Sequence, residues 1–404
     1  MASMARSKIY VGLEIGTTKV VMVVAETRPD HSVTILALGD VPSAGIKKGE
    51  ICDYKKAKAA VKEALLLAED KGDVLIKSLC LSVTGSHICS ENHTGVFRLP
   101  DQEKEVTEEH ISEVNDDARE IALPKENVYI HHIPRHYRLD GQEHSTVPFG
   151  LLGRTLEADY HIVHGISTRL QNSIKCVREI PLDVNDIVSA PICSAQVALR
   201  KSDRENGALM IDIGGGTSDF ILYHDDAIVA SGTVAAGGWN VSNDVHLMTH
   251  ISFDQAEALK LSEGNAWPTE GENLGTVQVP ALADHPETEL KREMVNEIIS
   301  DRMRDIFQLI LERLPVGWEK RCGNGVYLTG GASLLRNLGH LADSMFEPPI
   351  YCAQSQEGKE LSYYEDPRYA TVLGLIRYAQ FMDQEKPESQ GSKFQDLVKS
   401  FWPF

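Results

Sequence analysis

One plan occurs twice in this chain, and that repetition constrains the fold more than any other feature. Residues 8–25 (KIYVGLEIGTTKVVMVVA) and 207–223 (GALMIDIGGGTSDFILY) each pass from an apolar strand through an acidic residue and an Ile-Gly turn with hydroxyls into a second apolar strand. The copies, Glu14-Ile15-Gly16-Thr17-Thr18 and Asp212-Ile213-Gly214-Gly215-Gly216-Thr217, lie roughly 200 residues apart, a spacing that predicts two related domains facing each other and not a solenoid. A chain of 404 residues has room for two or more lobes.

The turns carry phosphate chemistry. A nucleotide phosphate needs backbone N–H groups aimed at it with no side chain in the way, and glycine permits both the close approach and the unusual dihedrals. Neighbouring hydroxyls add donors, and a carboxylate at the strand end can hold Mg²⁺ directly or through water. The first turn supplies Glu14 with Gly16, Thr17, Thr18 and Lys19; the second supplies Asp212 with Gly214, Gly215, Gly216 and Thr217. Gly330-Gly331-Ala332-Ser333, at the predicted start of a helix with outward N–H groups, is a third element, and Gly237-Gly238 before a predicted helix at 240–248 is a fourth. Neither a Walker A motif nor GxGxxG occurs, so P-loop and Rossmann folds are excluded.

Between the turns, residues 55–70 have the spacing of a helix. From 86 to about 164 the texture becomes polar, His-rich and broken by Pro100, Pro124, Pro134 and Pro148, which marks an inserted subdomain with a helix near 107–121 and strands near 128–139 and 159–167. Helical patterns follow at 167–178, 183–200, 254–263 and 289–314; 324–338 is a strand, Gly-Gly turn and helix; 369–382 is a last apolar helix; 384–392 is a polar linker.

Several function classes fall away. A net charge of −19 argues against nucleic-acid binding and requires any membrane attachment to be local. Seven scattered cysteines without a CxxC pair suit free thiols in a reducing compartment. The first residues, MASMARSKIYVGLEI, enter a strand without an apolar signal core, and no run is long enough to span a bilayer, so the expectation is a cytoplasmic chain unless something tethers it. His131 and His132 alternate across a strand with no carboxylate at ligand spacing, which speaks against a metal centre there. The acidic stretch 103–109 suits a solvated helix entry.

The last residues supply the tether. In SKFQDLVKSFW (392–402), Phe394, Leu397, Val398, Phe401 and Trp402 fall at i, i+3, i+4, i+7 and i+8 on one helical face. Ser392 with Gln395 makes a capping box and Pro403 marks the end. Such a helix is too short to cross a bilayer but suits interfacial insertion, and the preceding polar linker disfavours docking on the protein's own core.

These phosphate turns with the Gly-Gly loop resemble the actin, Hsp70 and sugar-kinase superfamily. Within it the chain is similar to the FtsA family of bacterial division actins. The resemblance runs through KIYVGLEIGTTKV, GEICD (49–53), SVTGSHICSENHTG (82–95), HHIPRHYRLDGQ (131–142), LEADYHIV (156–163), QNSIKCV (171–177), DIGGGTSDF, AAGGWNVSNDV, VYLTGGASLL and ATVLGLIRYA (370–379). It implies an α/β actin-like ATPase fold, two lobes around a nucleotide cleft, with an inserted SHS2 subdomain. The implied division is a first lobe from 7–85, 165–203 and 366–382, the insertion at 86–164, and a second lobe at 204–365. The second lobe has its core at 204–242 and 322–365 and an outer subdomain at about 243–321, followed by a linker at 383–391 and a membrane-targeting tail at 392–404. It further implies ATP contacts at the two turns, with Gly238, Lys260, Glu263, Gly330, Gly331 and Ser333 near the nucleoside, and Mg²⁺ at Glu14 and Asp212. The implied partners are the tubulin-like FtsZ, copies of the same chain in filaments, membrane lipid and other division proteins, on the cytoplasmic side of the bacterial inner membrane at the division site.

Two positions depart from the expected pattern. The first turn has Glu14 where Asp is usual, one methylene longer, which alters the reach to a metal. Where shape-determining actins place a water-positioning Glu before a Pro, Ser189-Ala190-Pro191 puts Ala190, which cannot orient water, although Gln196 lies nearby. The expectation is a nucleotide that acts as a conformational ligand with slow or absent hydrolysis. The alternatives are a small-molecule kinase of the superfamily, which needs a catalytic Asp in the cleft, and a pilus-assembly actin homologue, which shares the loops and insertion without needing the anchor.

Overall fold

The computed structural model describes residues 8–28, 32–100, 104–144, 146–282, 287–352 and 365–384, so the tail expected at 392–404 and most of the linker lie outside the described residues. Two five-stranded sheets share one topology. In the first lobe the order is Asp183–Ser189, Ser78–Val83, Lys8–Ile15, Lys19–Thr27, Val33–Pro42. In the second it is Ile350–Cys352, Val326–Thr329, Ala208–Ile213, Ser218–His224, Ala227–Val234, with parallel and antiparallel pairings in the same places. The repeated motif is thus the central hairpin of each sheet.

The unbroken run Val20–Val24 is fully buried because its sheet is covered on both faces, the situation in which strands lose their polar alternation. Val20, Met22 and Val24 pack with Ala57, Val61 and Ala64 of helix Tyr54–Gly72. Val21 and Val23 pack with Val372, Leu373 and Ile376 of helix Ala370–Gln384. The second sheet is packed by helices Gly238–Thr249, Phe253–Glu263 and Arg292–Leu311 around Phe307, Phe346 and Trp318. The chain leaves the first lobe through helix Ala190–Ala198 and returns through helix Ala370–Gln384. These helices cross so tightly that a Cβ at Gly374 would fall well inside contact distance of the Cys193 carbonyl.

Between strands Ser78–Val83 and Asp183–Ser189 lies a four-stranded antiparallel sheet in the order Ile88–Arg98, Thr155–Ile166, Asn127–Leu139, Gln142–His144. Helix Glu108–Arg119, capped by Thr107, places Val114 and Ala118 against Leu156, Ala158, Tyr160 and Ile162. Although it branches from the first lobe, this subdomain is hydrogen-bonded to the second. Ser90 Oγ donates to the Ser231 carbonyl at 2.6 Å, Asn92 Nδ2 to the Val229 carbonyl at 2.8 Å, and His161 joins Asn92 Oδ1 (2.7 Å) to Ser231 Oγ (2.8 Å).

Three expectations about elements are corrected. The helix expected at 183–200 is strand Asp183–Ser189 followed by helix Ala190–Ala198, since DVNDIVS finds a parallel partner in Ser78–Val83 and Pro191 is suited to a first helical turn. The helix expected from 289 begins at Arg292, because Thr288–Lys291 pairs with Thr276–Val279. Gly331–Leu334 is a single 3₁₀ turn, and the α-helix after it starts only at Leu338. All seven cysteines are free thiols. No helix among the described residues is long and apolar enough to cross a membrane.

Candidate functional site

Each central hairpin closes with one four-residue loop held by the same bond. Gly16 N donates to the Lys19 carbonyl at 3.0 Å, and Gly214 N to the Thr217 carbonyl at 2.9 Å. The two loops face each other across the gap between the lobes. A Cβ on Gly215 would collide with Thr18 Cγ2, and one on Gly216 with Thr17 Oγ1, so the glycines are what let the loops meet. Behind the second loop, Gly238 N donates to the Gly214 carbonyl (2.9 Å) and Trp239 N to the Gly215 carbonyl (2.7 Å), which uses up free donors at the start of helix Gly238–Thr249. A trans peptide sets its C=O and N–H on opposite sides, so the Gly215 and Gly216 N–H groups are directed away from that helix.

The loops enclose a cavity of about 120 Å³, into which Glu14, Gly16, Thr17, Thr18 and Lys19 face from one side. From the other come Asp212, Gly214, Gly215, Gly216 and Thr217, with Gly330 and Gly331 at the end. Ala190 also lines it, at the first residue of its helix, whereas Gln196 lies further along, its carbonyl accepting from Arg377. Four expected residues sit behind or away from the wall. Gly238 supports the second loop; Lys260 Nζ binds the Gly238 carbonyl (3.1 Å) and Glu257 (2.9 Å); Ser333 Oγ donates to the Gly330 carbonyl (2.7 Å); Glu263 is paired with Arg292 at 2.7 Å.

Electrostatically the wall is crowded with carboxylates. Burial pushes Glu14 up to about 7, against the pull of Lys19, and its Oε2 has no hydrogen-bond partner among the described residues. Burial also lowers the Lys19 ammonium, which donates to the Arg368 carbonyl and sits 4.0 Å over the Tyr369 ring. Asp212 is raised by burial too, opposed by the hydroxyls of Ser194 and Thr371. Asp219, across the strand pair from Asp212, reaches about 7 through burial and the charge of Asp212. Its Oδ1 accepts from Thr84 of the first lobe (2.7 Å) and from Thr233 (2.5 Å), so it ties the lobes together at the cleft floor. The sequence alone does not single out Asp219, Thr84, Ser194 or Thr371. Asp219 stood inside DIGGGTSDF, directly after the phosphate turn, and was the one with a local signal.

A family model described as cell division protein FtsA matches residues 209–374, and one described as the SHS2 domain inserted in FtsA matches 85–164. The chain is 32% identical over 380 residues to cell division protein FtsA of Pseudomonas aeruginosa, covering 94% of this chain and 91% of that protein. It is 30% identical to that of Escherichia coli K12, with coverage of 92% and 90%. Among solved structures it is similar to a PilM–PilN type IV pilus biogenesis complex (TM-score 0.64, 16% identity, covering 91% of this chain and 98% of that one). It is also similar to MreB5 of Spiroplasma citri bound to ADP (TM-score 0.55, 15% identity, 95% and 98%). The paired sheets are therefore an actin-like fold, and with this identity along nearly its whole length the chain belongs to the FtsA family of cell division proteins.

Proposed function

We propose that this division protein binds ATP with Mg²⁺ between its lobes, assembles with copies of itself, and links FtsZ to the cytoplasmic face of the membrane through the tail at 392–404. The observation that carries the nucleotide part is the pair of matching glycine loops face to face, with Lys19 and buried acids at their base. Small-molecule pockets run to ~300 Å³ and above. A cavity of about 120 Å³ holds a phosphate-sized group, so a whole nucleotide enters by parting the lobes, and its phosphates then hold the loops in register. The Gly215 and Gly216 N–H groups meet the phosphates from one side and Thr17, Thr18 and Lys19 from the other. The donor set fits a hard divalent cation: Glu14 Oε2 is a buried oxygen without a partner among the described residues, and Asp212 is a second carboxylate on the same wall. Such a cation neutralises phosphate charge next to these acids. Ala190 offers only a methyl group at the wall, which supports slow or absent hydrolysis.

The tail supplies weak attachment per copy. Lys393 and Lys399 against Asp396 give 392–402 a positive balance beneath an acidic body, and its five apolar side chains insert at the interface. Assembly multiplies that weak affinity. Sedimentation with liposomes of mixed neutral and anionic lipid, with and without ATP, tests the whole. Wild type is expected to pellet with the vesicles and Trp402→Glu to stay soluble while binding ATP normally. Equal pelleting of the two would sink the tether.

A further inference from the structure

We propose that Ser194 and Thr371 are positioning residues for Asp212, pinning one carboxylate oxygen so that the other is presented at the Gly330 turn to the cation accompanying a nucleotide. This deepens, and rests on, the nucleotide reading above. Ser194, completely buried on helix Ala190–Ala198, donates from Oγ to Asp212 Oδ2 at 2.5 Å. Thr371, in the first turn of helix Ala370–Gln384, donates to the same oxygen at 3.0 Å. The two hydroxyl oxygens are 3.1 Å apart, so the three groups form a closed triangle.

The asymmetry within the carboxylate is what assigns a role. Both hydroxyls go to Oδ2. Oδ1 instead lies against Gly330, so close that a Cβ there would overlap it, and Gly330 holds a φ of 85° that favours glycine. Two donors on one oxygen fix the rotation of the carboxylate plane and stabilise its charged form in a buried setting. Groups behind a metal ligand act in this way, orienting it and tuning it without touching the ion. Glu14, the acid at the same place in the other hairpin, has a buried oxygen with no such partner among the described residues, so Asp212 is the prearranged member of the pair. The hydroxyls also come from the two helices through which the chain passes between lobes, whereas Asp212 belongs to the second sheet. Its aim therefore depends on the lobes being correctly seated.

The test is equilibrium ATP binding by the full chain, measured in excess Mg²⁺ and again in EDTA, with circular dichroism to check folding. Wild type is expected to bind more tightly with Mg²⁺. In Ser194→Ala and in Thr371→Val that Mg²⁺-dependent gain should shrink by about tenfold or more, with affinity in EDTA unchanged. Thr371→Ser, which keeps the hydroxyl, should keep the gain. A substitution that weakens binding equally in both buffers, or leaves the gain intact, overturns the assignment. Should Ser194→Ala fail to fold, the contrast between Thr371→Val and Thr371→Ser decides the matter alone. A wild-type chain that binds no ATP in either buffer overturns the nucleotide reading itself, a failure visible without any variant.

Discussion

In the first hairpin Glu14 stands across from Val21, whereas in the second Asp212 stands across from another acid, Asp219. At the last position of each loop, Lys19 in one corresponds to Thr217 in the other; in the middle, Thr17 and Thr18 correspond to Gly215 and Gly216. The backbones remain the same to a tenth of an ångström in the bond that closes each turn, yet the side chains have diverged. Among the described residues, the first loop carries the only cation at the wall apart from Arg368, which is committed to Asp366. The second carries bare backbone and is braced from behind by helix Gly238–Thr249. The two hairpins share one geometry and differ in what they present: charge on one side and close backbone approach on the other.

The sharpest way to break that comparison is Gly215→Val. Its side chain would strike Thr18 on the opposite loop before any ligand arrives, wedging the lobes apart. ATP affinity should fall by more than about 100-fold, or ~2.8 kcal/mol, while circular dichroism stays native. Affinity like the parent's would remove the second loop from the site.

A smaller effect separates the division of charge. Lys19→Ala should cost about 1.5–3 kcal/mol in ATP binding, the range for hydrogen bonds to charged groups, whereas Thr217→Ala should cost only about 0.5–1.5 kcal/mol. Calorimetric titration of both compares the loops directly. Equal losses would mean that the copies still do the same job.

An effect of a different kind, read against pH, concerns the outer strands. Ala227–Val234 is bonded to the inserted subdomain, while its counterpart Val33–Pro42 packs under helix Tyr54–Gly72. Burial holds His161, at that seam, neutral and pulls it down to about 3. A histidine depressed in the fold contributes stability that is fully present above its unfolded value near 6.5 and is lost as pH falls toward 3. Between pH 6.5 and 5 that loss is about 1.6 kcal/mol. Denaturant unfolding of wild type and His161→Gln should therefore converge by about that much over the interval. A gap independent of pH would show that the seam does not hold the ring neutral.

Much of this was legible beforehand. Both turns, the polar inserted region and the Gly237-Gly238 brace have local signatures: a strand that ends in an acid, glycines in sequence, a change of texture. What escaped depended on contacts between distant residues. DVNDIVS looked helical until Ser78–Val83 offered it a parallel partner. Strand Ile88–Arg98 went unnoticed because ICSENHTGVFR is polar and its pairing with Thr155–Ile166 is long-range. Ser194 and Thr371 are ordinary hydroxyls in apolar helices, and only folding brings them to one oxygen 18 and 159 positions away. Glu263, which the resemblance places near the nucleoside, is ion-paired with Arg292 in the fold.

The crossing of Gly374 over Cys193 has a mechanical consequence. A door swings because its pins share one line; pins set far apart on different lines would lock it. At Gly374 the outgoing and returning passages of the chain touch backbone to backbone, with no side chain of that residue between them. Sliding one helix along the other at this point would drive the Gly374 backbone into the Cys193 carbonyl. Placing any side chain at position 374 would displace the pin itself, and with it the path along which the halves meet.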